Sequence, residues 1–219
     1  MTTTLVPLPA AITEEQLPAL CDHLAERDAD LARIVANFGY PPLWARAPGF
    51  STLVHIILEQ QVSIASAKAA HDRLLALAVP LTPATLLALD DETFLAVGFS
   101  RQKRGYARAL AQAIVTGQFD LDGLHTLTDE AASQHLLNLK GIGHWTADIY
   151  LLMVMCRPDV WPVGDLALQV AVQAVKGLSA RPKAEEMTAW GEGWRPWRSV
   201  ATRLLWHHYL NQTRSPRNP

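Results

Sequence analysis

The sequence predicts an all-α protein, and three observations carry that expectation. Apolar residues recur with the 3.6-residue period of a helix in nearly every patterned segment. Alternating, strand-like runs are nearly absent. The connections are short and marked by Gly, Pro, Asp, Ser and Thr, which suits a packed helical bundle.

The elements follow in order. Leu31, Ile34, Val35 and Phe38 repeat at i, i+3, i+4 and i+7 behind Asp28, a residue type that caps helix N-termini, and Gly39 ends that helix. Phe50, Leu53, Val54, Ile57 and Leu58 form the next stripe, with Ser51 as its N-cap. A helix runs from Ser63 to about Leu77. Thr82-Pro83 opens a short one with proline in the first turn, and Asp90 or Asp91 caps another that ends at Gly98. Ser100 opens a longer helix carrying Arg101, Lys103, Arg104 and Arg108, which Gly117 ends. Thr128 caps a helix to about Leu137. After the turn Leu139-Lys140-Gly141-Ile142-Gly143, a helix runs from about His144 to Cys156. Pro158 and Pro162 force a loop, Asp165 caps a helix to about Lys176, and Pro196 opens the last large helix. The proline-bounded loop is the best boundary between two lobes of one unit, about 50–157, and about 1–49 packed with 158–219.

With 219 residues, 49% hydrophobic and 18% charged, the chain can bury a core without covalent staples. Lys+Arg 19 against Asp+Glu 21 leaves a formal net charge of −2, which excludes a polybasic mode of binding but permits a local basic face. Cys21 and Cys156 are the two cysteines, too few for a disulfide framework, a four-cysteine zinc site or an iron–sulfur cluster. Met1–Ala11 lacks the features of a secretory signal, and no apolar run is long enough to span a bilayer, so a cytoplasmic protein is expected. The eight histidines form no His-Glu-x-x-His motif, and the glycines form no nucleotide-binding fingerprint.

Five features could carry chemistry. Gly141 and Gly143 in the turn allow positive φ and an approach unobstructed by Cβ, and their amides with that of His144 would form a seat for a phosphate oxygen. The plain alternative is a glycine-containing connection between packed helices. Asp165, 22 residues after Gly143, is first a helix cap; the same amides favour its charged form, and a fixed anion could stabilise a cationic sugar or orient water at its C1′ carbon. Of the seven tryptophans, all but Trp44 fall at or after position 145; most serve packing, while Trp145 and Trp197 are best placed to stack a flat ligand. Arg195, Arg198 and Arg203, with the basic helix 101–108, are candidate phosphate contacts or solvated faces. Gln60-Gln61 ends an apolar helix, where a protruding amide could fill the gap left by an extruded nucleotide.

The stretch Leu139-Lys140-Gly141-Ile142-Gly143-His144-Trp145-Thr146-Ala147-Asp148, followed by Val163-Gly164-Asp165, resembles the helix–hairpin–helix–Gly/Pro/Asp superfamily of DNA glycosylases, within it the AlkA-type 3-methyladenine DNA glycosylase II group. Ile57-Leu58-Glu59-Gln60-Gln61-Val62-Ser63 and Trp194-Arg195-Pro196-Trp197-Arg198-Ser199 support that subgroup, and the likeness covers roughly residues 50–210. The resemblance implies a two-lobed helical bundle with an interlobe cleft and Asp165 as the catalytic aspartate. It implies DNA contacts from Gly141, Gly143, His144 and Thr146, Gln61 as the intercalating wedge, and Trp145 and Trp197 in the base pocket. It also implies a monovalent-cation site, Na⁺ or K⁺, at the carbonyls of Leu137, Leu139 and Gly141, with no other cofactor required.

Two departures shape the expectation. Trp145 stands where strand-cleaving members carry a nucleophilic lysine, and an indole cannot form a Schiff base, so a monofunctional hydrolase is expected. Ile149 stands where an aromatic pocket residue is usual, which implies a wider pocket. The expected partner is double-stranded DNA with damaged bases, bound by a monomer that carries no iron–sulfur cluster. The rival readings are a non-catalytic helix–hairpin–helix DNA-binding module and a bifunctional glycosylase/lyase using Lys140.

Overall fold

The computed structural model describes residues 10–214, so most of the N-terminal stretch examined for a secretion signal lies outside the described residues. Among the described residues there is no strand. The α-helices are α1 (Leu17–Ala25), α2 (Ala29–Phe38), α3 (Phe50–Glu59), α4 (Ile64–Leu77), α5 (Pro83–Leu87), α6 (Asp91–Val97), α7 (Arg101–Val115), α8 (Asp129–Leu137), α9 (His144–Ile149), α10 (Leu166–Val175), α11 (Ala184–Glu192) and α12 (Arg198–Arg214). A 3-10 turn covers Asp122–Thr126, and a π-helical stretch, Tyr150–Val154, continues α9. No helix among the described residues is long and apolar enough to cross a membrane.

The chain divides into two compact units, one of residues 46–155 and one of residues 1–45 with 156–219. In the second of these, α1, α2 and α10 pack with α12. Leu17, Cys21 and Leu24, Leu31 and Ile34, Leu168 and Val172, and Leu204 and Leu205 make one core, closed by Met187, Trp161 and Trp194. A helix end is tied in by charge: Asp28 Oδ1 caps α2 through the amides of Asp30 (2.9 Å) and Leu31 (3.3 Å), while Lys176 Nζ reaches Asp28 Oδ2 at 2.8 Å and Asp30 Oδ2 at 2.7 Å. In the 46–155 unit, α3 is the central helix, packed with α4, α7 and α9. It is buried almost all round through Leu53, Val54, Ile56, Ile57 and Leu58.

Ser63, Thr82, Asp90, Ser100, Thr128 and Asp165 each cap the helix that the sequence assigns to them. Ser51 does not. Gly49 is the N-cap of α3, and Ser51 Oγ lies 3.0 Å from His71 Nε2 instead. The helix expected to run to Cys156 loses α geometry after Ile149 and ends at Val154, and α12 begins two residues after Pro196. Neither α1 nor α11 is among the helices expected from periodicity, because their apolar stripes are short. Arg203 is not a phosphate contact: it is fully buried, with Nε donating to Leu43 O at 2.8 Å and Nη1 to Ser199 O at 3.0 Å.

Candidate functional site

Asp165 sits where the loop 157–164 enters α10. Its extended backbone and the turn closed by Asp165 N on Pro162 O (2.9 Å) aim the carboxylate along the helix start, and Oδ1 accepts the amide of Leu168 at 2.8 Å. The same oxygen accepts a second hydrogen bond, from Trp206 Nε1 on α12, at 3.0 Å. Asp165 is buried, with 8% of its surface exposed. The two donors hold the carboxylate in one orientation.

The loop beneath it is equally fixed. Gln169 Nε2 donates to Val163 O (2.8 Å), Ser199 Oγ accepts from Val160 N (2.9 Å), and Trp161 Nε1 donates to Met187 O (2.7 Å). Trp206 in turn meets Trp44 edge-on, with ring centroids 6.4 Å apart. Trp44 has φ 52, a left-handed conformation that costs a bulky residue strain and so points to a constrained position, and the carbonyl before it is the one held by Arg203. The aromatic group joined to Asp165 is therefore Trp206, backed by Trp44. Trp197, the sequence candidate, packs against the unit's apolar core, with its amide on Trp194 O. No local sequence signal singles out Trp206: the residues one helical turn before it, Thr202 and Arg203, are polar, and their burial appears only in the packed structure.

A separate group of candidate residues lies in the 46–155 unit. Gly141 has φ 87, and a Cβ there would overlap the Tyr106 ring, so only glycine lets the turn sit on that ring. Gly143, the N-cap of α9, is exposed and faces open space, and His144 beside it is exposed. Thr146 departs from expectation as a side-chain DNA contact: it is 2% exposed, and its hydroxyl accepts a hydrogen bond from Gln60 Nε2 at 3.0 Å. Gln60 Nε2 also donates to Gly141 O at 2.9 Å.

The neighbouring end of α3 is held from two further sides. Arg46 meets Glu59 in a two-pronged pair, both contacts 2.9 Å, and Lys103 Nζ donates to Leu58 O at 2.7 Å. Next in the chain, Gln61 is exposed with φ 56, and Val62 and Ile64 beside it are exposed apolar side chains. A side chain held in a left-handed conformation at the tip of a braced helix suits a wedge. Trp145 is half-buried and Ile149 buried on α9.

Of the basic residues, Lys103 is used internally, Arg104 and Arg108 pair with Asp91, and Arg195 and Arg198 pair with Asp159, while Arg101 is exposed. The cation expected at the turn would be held by the carbonyls of Leu137, Leu139 and Gly141. Leu139 O accepts from Ile142 N (3.1 Å) and Gly141 O from Gln60, and a carbonyl oxygen has a second lone pair for a metal ion. No group of three or more His, Cys, Asp or Glu side chains suited to a metal occurs among the described residues.

Residues 54–196 match the HhH-GPD superfamily of base excision DNA repair proteins, and the chain belongs to that superfamily. Among similar sequences, DNA-3-methyladenine glycosylase 1 of Schizosaccharomyces pombe is 26% identical over 192 residues, covering 84% of this chain and 84% of that protein. The AlkA relative from Mycobacterium tuberculosis is 32% identical over 222 residues; the match takes in 89% of this chain but 43% of that longer protein. The fold is that of the 3-methyladenine DNA glycosylase Mag1 of Schizosaccharomyces pombe, solved in complex with abasic DNA, with a TM-score of 0.78 at 24% identity over 86% of this chain and 95% of that one.

Proposed function

We propose that this base excision repair protein is a monofunctional DNA N-glycosylase that extrudes alkylated bases from double-stranded DNA and hydrolyses their glycosidic bond, acting as a monomer in the cytoplasm. The observation that carries the reading is the Asp165 carboxylate, fixed at the start of α10 by Leu168 and Trp206.

Alkylation of a ring nitrogen makes a purine cationic and a good leaving group, so the enzyme needs little acid catalysis. As the bond to C1′ lengthens, positive charge builds on the sugar and the Asp165 carboxylate stabilises it; water then completes the displacement. Extrusion costs a few kcal/mol, and less for a damaged pair, which biases the reaction toward lesions. Aromatic surface at Trp206 and Trp44, in the same unit as Asp165, would attract a cationic base. The amides of the 141–144 turn would hold the DNA backbone and Gln61 would fill the vacated stack. The carbonyls of Leu137, Leu139 and Gly141 would hold a monovalent cation, whose charge would join the turn to a phosphate. A lyase step has no support, since Trp145 offers no amine and Lys140 lies exposed in the turn.

Asp165→Asn tests the assignment cleanly. Its amide oxygen can still accept the hydrogen bonds from Leu168 and Trp206 and cap α10, while the negative charge is lost. The variant is expected to fold and to bind abasic-analogue DNA normally, while base release from methylated DNA, followed by chromatography of the free bases, slows by about a hundredfold or more. Near-wild-type single-turnover release would refute the role. Borohydride trapping on abasic DNA is expected to yield no covalent adduct.

A further inference from the structure

We propose that Gln60 is a positioning residue that couples the wedge to the phosphate-binding turn, so that gripping the backbone and filling the emptied stack act as one event. The inference rests on the reading of Gln61 and the 141–143 turn as DNA contacts, and concerns how they are linked.

The geometry is specific. Gln60 is the residue after α3, and its side-chain amide crosses to a turn 81 residues away, donating to Gly141 O at 2.9 Å and to Thr146 Oγ1 at 3.0 Å. The orientation of the amide is fixed by chemistry, because Gly141 O can only accept. One nitrogen therefore holds both the middle of the turn and the first turn of α9, where Thr146 is buried. On its other side Gln60 is bonded through the chain to Gln61, whose backbone is held at φ 56.

Neither end of this strut is soft. Arg46 and Lys103 anchor Glu59 and Leu58 just before Gln60, and the Tyr106 ring fills the space under Gly141. The Tyr106 hydroxyl is itself hydrogen-bonded to Gln102 one turn back on α7. A displacement of the turn toward or away from DNA must therefore pull on Gln60, and with it on the residue that would enter the duplex. Preorganisation of this kind lowers the ordering cost of binding, and its signature is non-additivity between the two contacts.

The test is a mutant cycle read by fluorescence anisotropy on a duplex with a tetrahydrofuran abasic analogue. Gln61→Ala removes the wedge, and Gly143→Ala puts a methyl group over the phosphate seat, where it meets open space in the free protein. Both single variants are expected to weaken binding, and the double variant to depart from the product of the two by about fivefold. In the Gln60→Leu background that departure is expected to vanish, with binding weakened by about tenfold through loss of two hydrogen bonds. Gln60→Glu is the second variant should Gln60→Leu fail to fold: its carboxylate can accept from the Thr146 hydroxyl but cannot donate to Gly141 O, so the coupling should again be lost. Thermal unfolding of each variant establishes that it is folded. If the wedge and turn contribute independently in the wild-type protein, or if their coupling survives both Gln60 substitutions, the strut is refuted while the DNA-contact reading stands. If Gln61→Ala or Gly143→Ala binds as tightly as the wild type, the contact reading fails and the strut with it.

Discussion

A helix cap needs a carboxylate held by donors, the role proposed for Asp165 at a cationic sugar would need the same, and one oxygen of Asp165 takes both donors. Leu168 supplies the local donor, and Trp206, 41 residues later, supplies the tertiary one. Trp206→Phe is expected to keep the aromatic contact with Trp44 and remove only the N–H. Base release should then slow by about tenfold, the scale of one hydrogen bond to a charged group, with abasic-analogue binding unchanged. A wild-type rate would mean that Leu168 alone orients the acid. Asp165 is legible in the sequence because capping is local: an Asp, a preceding proline-rich loop and an apolar stripe suffice. Trp206 is not, because its partner is chosen by how α12 packs in its unit, and Trp197 draws attention by standing inside a recognisable motif. Arg203 misleads for a related reason. Its charge suggests the surface, yet it is spent on the carbonyls of Leu43 and Ser199, and burial pulls its guanidinium down to about 10.

The turn 139–143 and the end of α3 form one assembly, although 81 residues of chain separate the atoms that join them. Gly141 is the most constrained point. Its φ of 87 disfavours any side chain, and the Tyr106 ring occupies the volume that a methyl would need. Gly141→Ala is expected to lower stability by more than about 1 kcal/mol, measured as a drop in the urea midpoint. In a Tyr106→Ala background the added cost should shrink to that of the backbone conformation alone; an unchanged cost would show that the ring is not what excludes the methyl. The double glycine makes this turn visible in sequence. Its fastening does not show there, since the amide of Gln60 and the ring of Tyr106 look like ordinary helix-surface residues until tertiary contacts are known. The Thr146 hydroxyl is likewise inward-facing, consistent with its place one helical turn before Tyr150, which is fully buried.

Across the whole molecule, stability should depend on histidine. His55 and His71 stack with ring centroids 4.4 Å apart, and burial pushes both below the usual imidazole range, against the pull of Glu59 and Asp72; His208 is lowered by burial as well. In the unfolded chain these rings take up protons near pH ~6.5, so below that value the unfolded state binds more protons than the native one. The stabilisation is complete above the unfolded value and is lost as pH falls from there through the lower folded values. The urea midpoint should decline between pH 7 and pH 5, and His71→Asn should flatten that decline; a flat wild-type profile would contradict it. Asp28 does not confuse the window. Burial alone would raise its carboxyl, but Lys176 and Trp194 hold it below the usual carboxylate range, so it titrates at lower pH.

The unit that bears Asp165 is assembled from both sides of the chain, residues 1–45 and 156–219, with the 46–155 unit as an uninterrupted insertion between them. During synthesis, the inserted unit can complete its own core while the ribosome is still adding the rest. By contrast, α1 and α2 must wait with their apolar faces uncovered until α10 and α12 emerge. A chain that stopped between the end of the 46–155 unit and Asp165 would thus keep the 139–143 turn and lack the carboxylate; on the proposed reading it is expected to bind DNA and release no base.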